Sequence, residues 1–263
     1  MHKSVQGFDF WDKHKDEIIK LYVNEIKSAN YISKQYKCDP STIIRRLNRW
    51  QIPIRKIRYN SKYSLDYDFF KSIDTEEKAY IIGLLLSDGH ISKQNCIMLT
   101  LKDKDVIEKY KIAIKSNAPI TIDRYGNYQL NIKCKRMAED LREIGLNNRK
   151  SYNLDFDLIL KHIPSNLENH FVRGLFDGDG SIKIYHYDYV KNPQYHFGYT
   201  GLKSVVEYVS KYFGINTKLV KESDITYTCV SSCKQTIKNI YKLLYKDATI
   251  YMDRKYKTFN EII

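Results

Sequence analysis

Between residues 16 and 50 the apolar positions recur at helical spacing, with one interruption. In ANYISKQYKCDPSTIIRRLNRW (29–50) they are Ile32, Tyr36, Cys38, Ile43 and Leu47, broken at Lys37-Cys38-Asp39. Asp39 followed by Pro40 reads as an N-cap with proline at the first helical position, so a second helix is predicted from residue 40. Periodicity then disappears. QIPIRKIRYNSKYSLDY (51–67) carries a lone proline and basic residues, and 51–74 is read as a basic linker after a helical module at 1–50. From residue 75 the pattern becomes helix, two strands, helix, two strands, helix, and it occurs twice. The first copy (75–165) predicts a helix ending at Gly89, strands near 90–94 and 96–101, and a helix over 103–116. A hairpin turning at Tyr125-Gly126 follows, then a helix over 135–145. The second copy (166–263) runs through 180–187, 195–200, 203–213, 217–221, 227–231 and 233–245.

The two copies share more than a pattern. EKAYIIGLLLSDGHI (77–91) matches ENHFVRGLFDGDGSI (168–182) at an offset of 91, aligning Gly83 with Gly174 and Asp88-Gly89 with Asp179-Gly180. KDVIEKY (104–110) matches KSVVEYV (203–209), KRMAEDL (135–141) matches KQTIKNI (234–240), and Arg149-Lys150 matches Arg254-Lys255. Four matches in order, at offsets growing by loop-sized steps, indicate a duplicated α+β unit with divergent loops.

Charge sharpens the picture. The net charge is +13, which favours a polyanionic partner. Residues 1–66 hold 14 Lys/Arg against 7 Asp/Glu, so a quarter of the chain carries about half the excess. In the predicted helix from Pro40 the polar side presents Ser41, Thr42, Arg45, Arg46 and Arg49. The pair of helices resembles a helix-turn-helix, whose second helix enters the DNA major groove. It departs from that pattern at Lys37, where glycine is usual, and at Ser33, where alanine is usual. The five cysteines are scattered without a Cys-x-x-Cys pair, so neither a zinc ribbon nor a disulfide framework is indicated. No run of about eighteen apolar residues occurs, and the start has no apolar core like that of a secretion signal. A soluble protein in a reducing compartment, away from membranes, is expected.

The repeated phrase carries the chemistry. Gly83 and Ser87 lie four apart, as do Gly174 and Gly178, and small residues at that spacing let two helices approach closely. The natural partner of each motif helix is the other, packed about a pseudo-twofold axis with the C-terminal ends together. Those ends carry Asp88 and Asp179. Carboxylates at a helix C-terminus oppose the helix dipole and repel each other, so the arrangement is costly without a cation between them. Oxygen ligands of this kind suit Mg²⁺, which can support phosphodiester hydrolysis. A calcium loop starting at Asp177 fails, because its sixth position is Ile182 rather than glycine.

IIGLLLSDG and VRGLFDGDG resemble the two motifs of LAGLIDADG homing endonucleases in their single-chain, two-motif form, over roughly residues 75–263. The resemblance implies an αββαββα unit used twice, with two sheets forming a saddle on double-stranded DNA. It also implies a monomer with internal symmetry and Mg²⁺-dependent cleavage of both strands at a long site, with Mn²⁺ able to substitute. By motif position the metal-binding acids fall on Asp88 and Asp179, with the Gly89 and Gly180 carbonyls nearby, and the basic active-site residues on Lys150 and Lys255. The first acid of the motif is Asp177 in the second copy but Leu86 in the first. Strand alternation places Gln129, Asn131 and Lys133 on one face. With Lys93, Arg124, Lys183 and Tyr185 they are candidate DNA contacts. The alternative is a non-cleaving binder on the same scaffold, either an RNA intron maturase or a DNA-binding regulator.

Overall fold

The computed structural model describes residues 8–25, 27–54, 62–147, 154–189 and 191–263. The chain divides into two units, residues 1–57 and 58–263.

The first unit contains α1 (Phe8–Lys13), α2 (Lys15–Ile19), a π-helical turn (Lys20–Asn24), α3 (Ala29–Gln35) and α4 (Pro40–Arg49). Trp11, Ile18, Tyr22, Ile32, Ile43 and Leu47 form its core. Each of the last two helices is capped by its own sequence. Ser28 Oγ accepts from Tyr31 N at 3.1 Å, and Asp39 Oδ1 accepts from Ser41 N at 2.8 Å. Ser33 is buried and satisfies its hydroxyl by donating to Asn30 O at 2.9 Å, which is how a serine fits where a smaller alanine is usual. Between the helices Lys37 has φ 49, the left-handed conformation that normally selects glycine. That backbone costs a non-glycine residue about 1–2 kcal/mol. Lys37→Gly is therefore expected to stabilise this unit by a net of about 0.5–1 kcal/mol, after glycine's larger unfolded-state entropy. Both tryptophans, Trp11 and Trp50, lie here, so thermal unfolding followed by tryptophan fluorescence reads the unit selectively.

The second unit is the duplicated one. Its first copy runs α5 (Glu76–Asp88), β1 (Gly89–Ile91), β2 (Cys96–Leu101), α6 (Lys104–Ala113), β3 (Thr121–Ile122), β4 (Tyr128–Lys133), α7 (Lys135–Ile144) and α8 (Phe156–His162). The second runs α9 (Glu168–Asp179), β5 (Gly180–Tyr185), β6 (Gln194–Leu202), α10 (Lys203–Tyr212), β7 (Val220–Lys221), β8 (Thr226–Ser231), α11 (Lys234–Tyr245) and α12 (Asp253–Ile262). Each copy forms an antiparallel four-stranded sheet, ordered β1-β2-β4-β3 and β5-β6-β8-β7. The expected duplicated α+β architecture is the one observed. Two differences stand out. The closing helices α8 and α12 were not predicted, although Phe156/Ile159 and Tyr256/Phe259/Ile262 carry helical spacing. And Leu65, Phe69, Phe70 and Ile73, placed by sequence in a linker, are buried in the core of this unit.

Everything else is arranged around the motif helices. Every residue of α5 from Ala79 to Leu86 is buried, as expected of a helix enclosed on all sides. A Cβ on Gly83 would stand 2.2 Å from Phe171 O, and one on Gly174 would stand 2.0 Å from Tyr80 O. The two backbones thus touch directly at the paired glycines. At the N-terminal end the helices are tied by Arg173, which is fully buried. It donates to Leu244 O (2.7 Å), Ile250 O (2.9 Å) and Glu76 Oε1 (2.6 Å). Glu76 Oε1 also accepts from Thr249 N at 2.7 Å and its Oε2 from Thr249 Oγ1 at 3.0 Å, so the buried charge is paired and both carboxylate oxygens are used.

Candidate functional site

Asp88 and Asp179 are the last residues of α5 and α9, and the glycine after each opens the first strand of its sheet. Only glycine passes from helix to strand so tightly. A Cβ on Gly89 would lie 2.5 Å from Leu85 O, and one on Gly180 would lie 2.2 Å from the Phe176 ring. The two ends then meet. A Cβ on Gly178 would stand 2.2 Å from Ser87 Cβ and 2.8 Å from Asp88 Oδ2, so the Asp88 carboxylate lies against the residue preceding Asp179. Ser87 Oγ donates across to Leu175 O at 3.3 Å. Both carboxylates bear on buried Tyr199. Its phenol is pushed well above its ordinary range by burial first, then by Asp179, with Asp88 adding to it.

The neighbouring acid has a different task. Asp177 is fully buried and accepts from Tyr80 OH (2.9 Å), Tyr245 OH (3.3 Å) and Met252 N (2.8 Å). Burial raises its pKa, and Lys255 works against that shift. Asp177 is thus a structural acid joining α9 to α5 and α11. Leu86, its counterpart in the first copy, is simply buried apolar surface.

Lys255 is 3% exposed. Its ammonium donates to Phe176 O (2.6 Å), Asp177 O (2.7 Å) and Gly180 O (2.6 Å), the carbonyls left over where α9 ends. Three short bonds match its three protons, and the Gly180 carbonyl expected beside a metal is the acceptor of one of them. The geometry makes Lys255 the C-terminal cap of the second motif helix. Burial lowers its pKa to about 8, against the pull of Asp177, while Arg254 adds to the lowering. A lysine depressed in the fold adds stability above its unfolded value, and that stability is lost as pH falls through the folded value. The stability of wild type minus that of Lys255→Met is therefore expected to rise by about 3 kcal/mol between pH 8 and 10.5, read by urea unfolding. Lys150, its counterpart, lies outside the described residues.

A crevice flanks each acid, and the two are related by the internal symmetry. One, of about 510 Å³, runs between Asp88, Gly178, Thr100, Lys102, Asn127 and Arg254. The other, of about 290 Å³, runs between Asp179, Ser87, Thr200, Leu202, Val205 and Thr226. Arg254 is held at the first by a bidentate pair with Asp103, at 2.9 and 3.0 Å. Lys109 bonds Asp253 at 2.6 Å, so the start of α12 is tied to the first copy.

Beyond the crevices lie the sheet faces opposite the core. In the first sheet these positions are His90, Cys96, Met98, Thr100, Thr121, Gln129, Asn131 and Lys133. In the second they include Ser181, Lys183, Tyr185, Gln194, His196, Thr200 and Thr228. Neither set holds a carboxylate. Gln129 donates to Thr100 Oγ1 at 2.9 Å and accepts from Asn131 Nδ2 at 2.7 Å, a pre-ordered polar row. Lys93 and Arg124 are exposed at turns beside this sheet, with the Arg124 guanidinium 4.6 Å from the Tyr125 ring centre. Thr100, Asn127, Tyr199 and Arg254 were missed in the sequence. Alternation from Gln129 across the sheet would have found Thr100, but Arg254 needs the fold.

In the first unit Ser41, Arg45 and Arg49 of α4 are exposed, while Thr42 and Arg46 are half-buried. The Arg46 guanidinium lies 5.4 Å from the Trp11 ring centre, so this arginine stacks on its own core as well as edging the polar face.

No protein-family profile matches this sequence, and no curated protein does. Solved structures do match. The LAGLIDADG meganuclease I-AabMI, bound to uncleaved DNA, superposes with a TM-score of 0.51 at 14% identity, over 70% of this chain and 88% of that one. Meganuclease I-SmaMI, bound to uncleavable DNA, gives 0.51 at 12% identity over 73% and 88%. The I-LtrWI LAGLIDADG homing endonuclease, bound to target DNA, gives 0.50 at 13% over 71% and 88%. Among the described residues no helix is long and apolar enough to cross a membrane.

Proposed function

We propose that this chain, which has the LAGLIDADG homing-endonuclease fold, is a site-specific endonuclease that hydrolyses both strands of double-stranded DNA and works as a single chain. The observation carrying this reading is the meeting of Asp88 and Asp179 at the touching ends of α5 and α9. Around them extend two strand faces without a carboxylate. Two acids held together at helix C-termini are disfavoured by both dipoles and by each other, so the arrangement suits a hard divalent cation. The donor set fits Mg²⁺, or Mn²⁺ in its place, with Asp88 and Asp179 as the residues that would hold it. When bound, the ion would polarise the phosphodiester and stabilise the leaving oxygen. The chain's own residues do the positioning. Lys255 fixes the last turn of α9, and with it Asp179. The paired glycines set how closely the two motif helices approach, and buried Tyr199 lies within electrostatic reach of both acids.

The sheet faces, with Lys93, Arg124, Lys133 and Lys183 at their edges, are the surface for the duplex. In the first unit α4 is a second DNA-contacting element, with Ser41, Arg45 and Arg49 outward. The net charge of +13 provides attraction that falls with salt. The test is a cleavage selection on randomised and host-genomic duplex libraries, with Mg²⁺ and with chelator. Double-strand cuts at one long site, dependent on the cation, support the reading. Tight, salt-sensitive binding without cuts would replace it with a non-cleaving binder, for which RNA is the next ligand to try.

A further inference from the structure

The two copies differ most on their outer edge, where β5 leads into β6. In the first copy β1 ends at Ile91 and β2 begins at Cys96, whereas in the second β5 ends at Tyr185 and β6 begins only at Gln194. The longer connection carries tyrosines at every second position. Tyr185, Tyr187 and Tyr189 are 38%, 42% and 84% exposed. Their rings form a ladder, with centroids 6.1 Å apart at 17° between the first two and 5.5 Å apart at 32° between the last two. The equivalent connection in the first copy contains no aromatic residue.

Three large rings held in solvent need a reason, and the ladder's position suggests one. Ser181, Lys183 and Tyr185 lie on the outward face of β5, and the ladder continues from Tyr185 past the end of the sheet. Exposed Lys183 and Lys191 stand on either side of it in sequence, with Asp188 the one acid of the connection. Only Tyr187 has a ring on both sides; Tyr185 and Tyr189 each have one ring neighbour in the ladder, and Tyr189 stays largely open to solvent. Along its length the ladder offers edges and hydroxyls, and the lysines before and after it in sequence suit phosphates. Unpaired bases gain from open aromatic faces, whereas a sugar–phosphate backbone takes hydrogen bonds from tyrosine hydroxyls and packs on ring edges. Stacking also restricts the rings beforehand, so little side-chain freedom remains to be lost on binding.

We propose that the Tyr185–Tyr187–Tyr189 ladder is a docking strip for the backbone of duplex DNA flanking the recognition site, on the side bound by the second copy alone. The proposal rests on the nuclease reading, and it makes the protein's grip on DNA lopsided. The strip lies well outside the acidic centre, so it governs affinity and footprint rather than the position of the cut.

The test is hydroxyl-radical footprinting of the full chain on the duplex recovered by selection, comparing wild type with Tyr187→Phe/Tyr189→Phe and Tyr187→Ala/Tyr189→Ala. The N-terminal unit adds protection of its own, so the readout is the difference between proteins. Both double variants are expected to lose a few base pairs of protection at one end only, with affinity down about tenfold and the cut unmoved. A Phe variant that protects and binds like wild type overturns the proposal, since the hydroxyls then contact nothing. So does a ladder whose binding is competed away by single-stranded oligo-dT, which would mark it as a platform for unpaired bases. If wild type protects no specific duplex, the nuclease reading fails and the strip with it. A wild-type footprint that neither variant changes sinks the strip alone.

Discussion

Asp179→Asn is expected to abolish double-strand cleavage, slowing it by at least about a thousandfold, or roughly 4 kcal/mol in the barrier. Specific duplex binding should stay within a few fold of wild type. The substitution keeps the shape of the side chain and removes its charge, so the turn from α9 into β5 has no reason to move. What disappears is half of the anionic pair that would hold a divalent ion at the ends of the motif helices. Binding rests on the sheet faces and the basic surface, which the change leaves alone, and one negative charge fewer near phosphates can only favour it. Single-turnover cleavage and gel-shift titration at one fixed salt concentration separate the two quantities. Cleavage within tenfold of wild type would show that the paired acids are not the reaction centre.

Gly174→Ala should cost at least about 3 kcal/mol of stability, a large fraction of what a domain usually has. The added methyl would stand 2.0 Å from Tyr80 O and 2.9 Å from Leu84 N, both backbone atoms of the facing helix. No side chain can swing aside. The helices must part, and Arg173, Asp177 and Ser87, all bonded across or beside this seam, would be pulled with them. Gly126→Ala provides the comparison. Nothing lies within 4 Å of its Cβ, but its φ of 83 leaves a strain of about 1 kcal/mol. Urea unfolding followed by far-ultraviolet circular dichroism should rank the two clearly. Equal losses would mean that the close approach at Gly174 does not hold the halves together.

The glycines show why some of the site was legible. Gly83 and Gly174 were readable as a helix contact because small residues four apart in both copies leave a groove whatever surrounds them. Their duplication supplied the partner. Asp88 and Asp179 followed, since each ends a helix whose mate is in the same chain. Lys255 was readable only as a basic residue late in a repeat. Its burial and its three carbonyl acceptors depend on α12 folding back onto the end of α9, which no local pattern encodes. Asp177 tells a similar story. It has the same residue type and nearly the same position as Asp179, yet it is buried among Tyr80, Tyr245 and Met252, which lie 97, 68 and 75 residues away.

By itself, the sequence determined whatever has a short period or an exact echo. That covers the duplication, the order of helices and strands in each copy as far as α7 and α11, the helix pair near the start with its Asp39 cap, and the acids at the two motif ends. Periods of two and 3.6 residues are written by local backbone geometry, and a repeat is written by copying. Only the tertiary structure decided which of two neighbouring aspartates is fully buried and held by three hydrogen bonds, and that a late lysine caps a helix. It alone drew Leu65, Phe69, Phe70 and Ile73 into the core and lined three tyrosines into a ladder at one edge. Those outcomes depend on burial and on partners far along the chain. A residue's charge and size are local properties, but its desolvation and its hydrogen-bond partners belong to the fold.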